Sequence, residues 1–243
     1  AAALGVTSWR DGTPDAGVLV MEEPTDRTSA ADRVAHARRL GGEVGARLDA
    51  AVRAALPDSD RLELRRVVPT SWHESSRAGG RHRDDATEWR LTYTIPSAIG
   101  RQELQVVAAY DYVWHLDGGA CQTQRSLACQ DQLYRDPRTD ASDSFAGRPD
   151  NRTVPEEGQF FEAERYVGHT AGRRPDDIVV RTWATLTVEA ASLDQARDHW
   201  VFSVRDLTDL VESPDLVPPE PTTWPTPLTK PRWWQDTKQT SSR

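Results

Sequence analysis

The stretch WRLTYTIPSAIGRQELQVVAAYDYVW, Trp89 to Trp114, decides the fold. Trp89, Leu91, Tyr93 and Ile95 alternate with Arg90, Thr92 and Thr94, the two-residue period of a strand with one buried face. Leu104, Val106, Ala108, Tyr110, Tyr112 and Trp114 repeat that period on a longer strand. Between them, Pro96-Ser97-Ala98-Ile99-Gly100 is short enough to close a hairpin. An antiparallel ribbon with a single apolar face needs a covering layer.

Working outward, the rest of the chain supplies more strands and that layer. Upstream, Leu62, Leu64 and Val68 alternate with Arg61, Glu63 and Arg65. Downstream, Ile178, Val180, Thr182, Ala184, Leu186 and Val188 form one face of a strand, with Trp183 on the other. A helix is predicted after Ser29, which can cap it with Asp32 three residues on. Its apolar stripe is Val34, Ala37, Gly41, Val44, Leu48, Ala51 and Ala55, ending near Pro57. Gly41, Gly42 and Gly45 mark either close approach to a sheet or a bend. A last helix opens at Ser203, with Leu207, Leu210 and Val211 on one face, and stops before Pro214. Helix, four strands, helix reads as a two-layer α+β fold. Its mainly antiparallel, four-to-five-stranded sheet is expected to pack against an N-terminal and a C-terminal helix.

The boundaries follow from composition. Residues 1–27 read as an extended N-terminal arm, and 28–216 as one α+β domain with insertions at 70–88 and 116–177. The second insertion carries both cysteines, an acidic run, DPRTDASDS, and an aromatic run, FFEAERYV, that can add a strand. Asp136, Asp140 and Asp143 of the acidic run lack EF-hand spacing, so a solvated acidic loop is expected there. Residues 217–243 form a tail rich in Pro, punctuated by Trp224, Trp233 and Trp234. Each Pro fixes φ and removes a donor, so the tail cannot be helix or sheet interior.

Charge and composition exclude some classes. A net charge of −8 with mean hydropathy −0.67 argues against general nucleic-acid binding and against docking on an anionic membrane. No run of apolar residues reaches the length of a membrane span in the chain as given. Lys230 and Lys238 are the only lysines among 30 basic residues, a bias of GC-rich coding rather than of function. Cys121 and Cys129, in CQTQRSLAC, match neither a zinc spacing nor a C-x-x-C pair. An even count confined to one segment points to a disulfide and an oxidising compartment, with two reduced thiols in a cytosolic chain as the alternative. Closing so short a loop stabilises by about 2–3 kcal/mol.

Three further runs carry a resemblance. A helix ending in LPDSDRL, the strand LQVVAAYDYV leading into the cysteine segment, and VVRTWATLTVEA before FSVRDLTDLVESPDL stand in this order. Over residues 45–216 the pattern resembles the extracytoplasmic domain of small exported or single-anchor proteins of GC-rich Gram-positive, actinobacterial, bacteria. The resemblance implies a secreted or cell-surface location and brings no catalytic residues with it.

No chemistry-bearing motif stands out. There is no G-x-S-x-G elbow, and Gly41-Gly42-Glu43-Val44-Gly45 lacks the Lys of a phosphate loop. Asp111, Glu162, Glu164 and His169 are weak candidates for a carboxylate pair or a metal site. No cofactor and no metal are expected. The function expected is a non-catalytic extracytoplasmic interaction or assembly module. Its partner is another protein, docked through Trp224, Trp233 and Trp234. A cell-wall or glycan-directed enzyme, or a carbohydrate-binding module, is the alternative.

Overall fold

A computed structural model describes residues 29–70, 86–112, 126–131, 138–146, 161–172, 178–222 and Trp224. The N-terminal arm expected over 1–27 lies outside these. The chain runs α1 (Ala30–Ala55), a 3-10 turn (Ser59–Arg61), β1 (Glu63–Thr70), β2 (Glu88–Ser97), β3 (Gly100–Tyr112) and β4 (Ser126–Asp131). It continues through β5 (Thr139–Ala146), β6 (Phe161–Ala171), β7 (Ile178–Ala190), α2 (Leu193–Arg197) and α3 (Val204–Val211). The strands form one sheet in the order β1-β2-β3-β7-β6-β5-β4, with every neighbouring pair antiparallel.

The fold is α+β and antiparallel, but the sheet has seven strands rather than four or five. The additional strands come from the expected insertion at 116–177, which supplies β4, β5 and β6. From Phe161 on, the aromatic run does become a strand, within β6. From Thr139 on, the acidic run is not a loop but β5, whose helix-facing residues are Thr139, Ala141, Asp143 and Phe145, all buried; Asp136 lies outside the described residues. Asp143, 1% exposed, breaks the apolar alternation that would have announced a strand. Its charge is met by Arg165 from β6, at 2.8 and 2.9 Å, and by Arg197 from α2 at 3.3 Å.

α1 begins with a capping box. The Ser29 side chain accepts from the Asp32 backbone N–H, and the Asp32 carboxylate accepts from the Ser29 backbone N–H. At Gly42 the backbone turns to φ 66°, a left-handed conformation that breaks the helix. The buried face nonetheless runs on across the break: Ala37 and Gly41 before it, then Gly45, Ala46, Leu48, Asp49, Ala51 and Val52 after it, with Val44 and Ala55 partly buried against the core. Val34, expected in the stripe, is 40% exposed. Gly41 has the second role read from sequence, since a Cβ there would stand 2.6 Å from Val67 Cγ1 of β1. The bend and the close approach therefore fall on adjacent glycines.

One face of the sheet is sealed by helices, with α1 on β1, α2 on β5 and β7, and α3 on β6 and β7. The core between the layers holds Leu48, Trp89, Leu91, Tyr93, Leu104 and Leu186. α3 starts at a second capping box, Ser203 with Asp206, and buries Leu207, Leu210 and Val211. Asp49 is the core's buried charge. Both its oxygens accept from Arg53 Nε, at 3.2 and 3.0 Å, and Oδ1 also accepts from the Tyr93 hydroxyl at 3.1 Å. Arg53 then donates to the Ser59 and Leu62 carbonyls, so one guanidinium ties α1 to the turn that enters β1. Burial and the neighbouring Asp49 carboxylate push the Tyr93 phenol well above its ordinary range.

Along β7, Thr182, Ala184, Leu186, Val188 and Ala190 are buried and Trp183 is only half-buried, as the alternation predicts. Leu186→Ala should therefore cost about 2–5 kcal/mol in denaturant unfolding, as large-to-small core changes do. Trp183→Ala should cost less, and the reverse ranking would show that the faces are assigned the wrong way round.

Candidate functional site

Among the described residues no helix lies on the opposite face of the sheet, and most of the weak candidates stand there. Asp111 is on β3, and Glu162 and Glu164 are on β6 at alternate positions. Pairing across β3, β7 and β6 places them at different levels. Asp111 stands opposite Val179, whereas Glu164 stands opposite Thr187. Eight residues along β7 separate the two levels, about 26 Å. Asp111 therefore does not join the glutamates.

Each group has its own neighbours. Arg181 Nη1 of β7 lies 3.7 Å from Asp111 Oδ2, and Arg181 Nη2 donates to the Tyr166 hydroxyl at 3.3 Å. The guanidinium also sits 5.1 Å from the centroid of the Trp183 ring, within cation–π range. Tyr166 lies across Gly168, where a Cβ would collide with its ring and hydroxyl. Among the described residues these groups form a packed polar-aromatic ladder. At the other end, burial, reinforced by the neighbouring Glu162 carboxylate, pushes Glu164 above the ordinary carboxylate range.

His169 is on the helix-covered face, away from all three. It pairs with Thr139 of β5 and meets Glu212 just past α3. The Thr139 hydroxyl donates to Glu212 Oε1 at 2.8 Å, which spends its only proton, so the 2.9 Å contact has His169 Nδ1–H donating to Thr139 Oγ1. A histidine acting as base on a nucleophilic hydroxyl would have to accept instead. Thr139 is also 1% exposed. With Thr182, whose hydroxyl donates to the Val211 carbonyl, the cluster fastens the end of α3 to β5, β6 and β7. Among the described residues no three His, Cys, Asp or Glu side chains converge as a metal site. Cys129 stands opposite Ser144 in the β4–β5 ladder, and Cys121 lies outside the described residues.

The tail begins as a docked segment. Arg47 Nη2 of α1 donates to the Val217 carbonyl at 2.9 Å, and the Tyr110 hydroxyl donates to the Pro218 carbonyl at 3.3 Å. Pro218 and Pro221 are buried. Trp224 meets Tyr110 edge-on, with ring centroids 5.1 Å apart at 77°, the geometry that ring quadrupoles favour. Tyr110 reads from sequence as one more core residue of β3, and nothing in its spacing marks it as the tail's anchor. Trp233 and Trp234 lie outside the described residues.

Compared with protein-family models, with curated proteins and with solved structures, the chain matches none.

Two outcomes are expected. Truncation after Leu216 removes the Tyr110–Trp224 pair, worth about 0.5–1.5 kcal/mol beyond the area it buries. It should lower the melting temperature by at least about 2–4 °C, while truncation after Trp224 leaves it in place; equal melting temperatures would show that residues 217–224 hold nothing. The second concerns Glu164. A carboxyl whose pKa is raised on folding favours the native state below its unfolded pKa, and that stabilisation is lost as pH rises through the folded value. Glu164→Gln should therefore melt higher than the parent at pH 7, with the gap closing below about pH 4, under the ordinary glutamate value. A gap independent of pH would contradict the burial of this charge.

Proposed function

We propose that this chain is a non-catalytic extracytoplasmic module that works by contact with another protein, through the Pro/Trp arm beyond Trp224. The anchoring of Trp224 on Tyr110 carries the reading. An arm fixed at its root presents Trp233 and Trp234 from a defined point, and tryptophan is the side chain most enriched where partners bind. The use of the described polar groups supports it as well. Asp49, Asp143, Thr139 and His169 are engaged in joining elements to one another. For the compartment, we propose a Cys121–Cys129 disulfide in a secreted or cell-surface protein; an even cysteine count confined to one segment, with the two eight positions apart, supports it.

One observation favours the second reading, a glycan-directed enzyme or carbohydrate-binding module. Glu164, raised by burial, sits next to Glu162 and on the same sheet face as Tyr166 and Trp183. A carboxylic acid of raised pKa beside a second carboxylate and an aromatic surface is what glycoside hydrolysis uses.

Three measurements separate these. Alkylation of the unreduced, denatured protein followed by mass spectrometry should label neither cysteine; two labelled thiols would remove the support for an oxidising compartment. A photo-crosslinking residue at position 233 or 234 in the producing cells should give one discrete adduct with another polypeptide, and adducts confined to this chain would overturn the interaction reading. Hydrolysis of cell-wall glycan by the purified protein, lost in Glu164→Gln, would establish the enzyme instead.

A further inference from the structure

The segment that follows α3 is held by its main chain. Leu216 is 0% exposed and belongs to the core. The next two carbonyls are then taken by side chains from two different elements. Arg47 Nη2 of α1 donates to Val217 O at 2.9 Å, and the Tyr110 hydroxyl of β3 donates to Pro218 O at 3.3 Å. Every residue from Val217 to Pro221 is a proline or precedes one. Proline fixes φ near −65°, and the residue before it is pushed to extended backbone. The segment is therefore set for polyproline II, which makes no internal hydrogen bonds and leaves its carbonyls to be met from outside. Its burial keeps the three-residue period of that helix. Pro218 and Pro221 are buried, while Pro219 is half-buried and Glu220 exposed.

Trp224 completes the grip. Six residues of polyproline II advance about 19 Å, more than one tyrosine side chain spans. Yet Trp224 and the Pro218 carbonyl both meet Tyr110. The chain bends at Thr222, which returns the indole to the ring whose hydroxyl holds Pro218. The tail is a hook around Tyr110, made of a Pro-x-x-Pro turn, a bend and a tryptophan. A tail that only covers a core does so by apolar contact. Side-chain donors aimed at successive carbonyls, beside an aromatic ring, are what grooves for separate Pro-rich peptides use. None of these contacts depends on the covalent join at Leu216, so a second chain of the same sequence can make all of them.

We propose that Tyr110 and Arg47 form a recognition site for Pro-x-x-Pro segments of other chains, and that the chain's own Pro218-x-x-Pro221 occupies it as a built-in ligand. Tethered at Leu216, that segment is presented at an effective concentration of about a millimolar. The site is shut to Pro-rich chains in solution and opens to them when the tail is drawn off. The inference goes beyond the functional reading above, which concerns the arm past Trp224. Either can fail alone.

The test uses the full chain carrying Pro218→Ala, Pro221→Ala and Trp224→Ala, which empties the site and leaves Leu216 in place. Trp224→Ala alone serves where the triple variant does not fold. The probe is a fluorescently labelled peptide, VPPEPTTW, with binding read by anisotropy. It should bind the emptied chain with a Kd below about a millimolar, since the tethered segment stays docked at that effective concentration. The parent, whose site is taken, should bind it at least about tenfold more weakly. Tyr110→Phe in the emptied chain keeps the ring, removes the hydroxyl and should weaken binding about three- to tenfold. No saturable binding to the emptied chain, equal binding to the parent, or equal binding of a peptide with the same residues in scrambled order would overturn the proposal. A second copy of this chain and a different protein can each bring such a segment. A complex of the emptied chain with the parent in analytical ultracentrifugation marks the first source, and peptide binding without that complex marks the second.

Discussion

The eleven-pair ladder between β3 and β7 joins the two halves of the chain. α1, β1, β2 and β3 form one half in sequence order, and β4 to β7 with α2 and α3 form the other. Each half is a set of neighbours that pair locally. β3 and β7 pair across some sixty-five residues of intervening chain, and every long-range feature follows from that register. Leu104 opposite Leu186 and Val106 opposite Ala184 put the two apolar faces on the same side, so α1 and α3 can share one core. A slip by one residue would put the two sets on opposite faces of the sheet. Loop-closure entropy grows only slowly with length, so the separation costs folding rate more than stability.

Two buried aspartates then fix what the ladder leaves free. Asp49 ties α1 to β2 through Tyr93, and with Arg53 to the turn before β1. Asp143 holds β6 and α2 through Arg165 and Arg197, and Arg165 also donates to the Phe202 carbonyl. A buried ion pair adds little net stability over an apolar contact of the same shape, yet removing one partner strands a charge, at about 3–5 kcal/mol. Apolar contacts between a helix and a sheet tolerate small shifts in docking. A carboxylate that needs two or three donors from different elements does not.

Those same aspartates explain what the sequence concealed. The ribbon at 89–112, β7 and both capping boxes are legible because their inward residues are apolar at period two, or because Ser-x-x-Asp stands at a helix start. β5 is illegible because its inward positions are Thr139, Ala141, Asp143 and Phe145, a half-polar row that works only once Arg165 and Arg197 arrive from β6 and α2. No window of eight residues contains that compensation. The stripe of α1 is legible except at its first member: Ala37, Gly41, Leu48 and Ala51 are buried, and Val34 alone is exposed. Among the site residues, Asp111, Glu162 and Glu164 share a face by parity alone, whereas their separation depends on register across three strands. His169 differs from them by parity, and its partner Glu212 lies forty-three residues away.

The arm and the acidic end of the sheet are separate surfaces, which follows from where the arm is rooted. Tyr110 holds Trp224 near the end of the sheet where β3 stops and β7 starts. Nine residues lead from Trp224 to Trp233, and no chain of that length spans more than about 30–32 Å. Glu162, opposite Glu189, lies nine residues down the ladder from Val180, the partner of Tyr110, and one strand further across. That is about 30 Å, equal to the full stretch of the arm. On the proposed interaction reading, a partner that grips Trp233 and Trp234 meets the Tyr110 end, where Tyr110 faces the helices, whereas Glu162 stands on the other face. A ligand recognised by Glu162 and Glu164 meets the other end. The interaction reading and the glycan reading make contact with different parts of the same sheet, so one surface can be altered without disturbing the other.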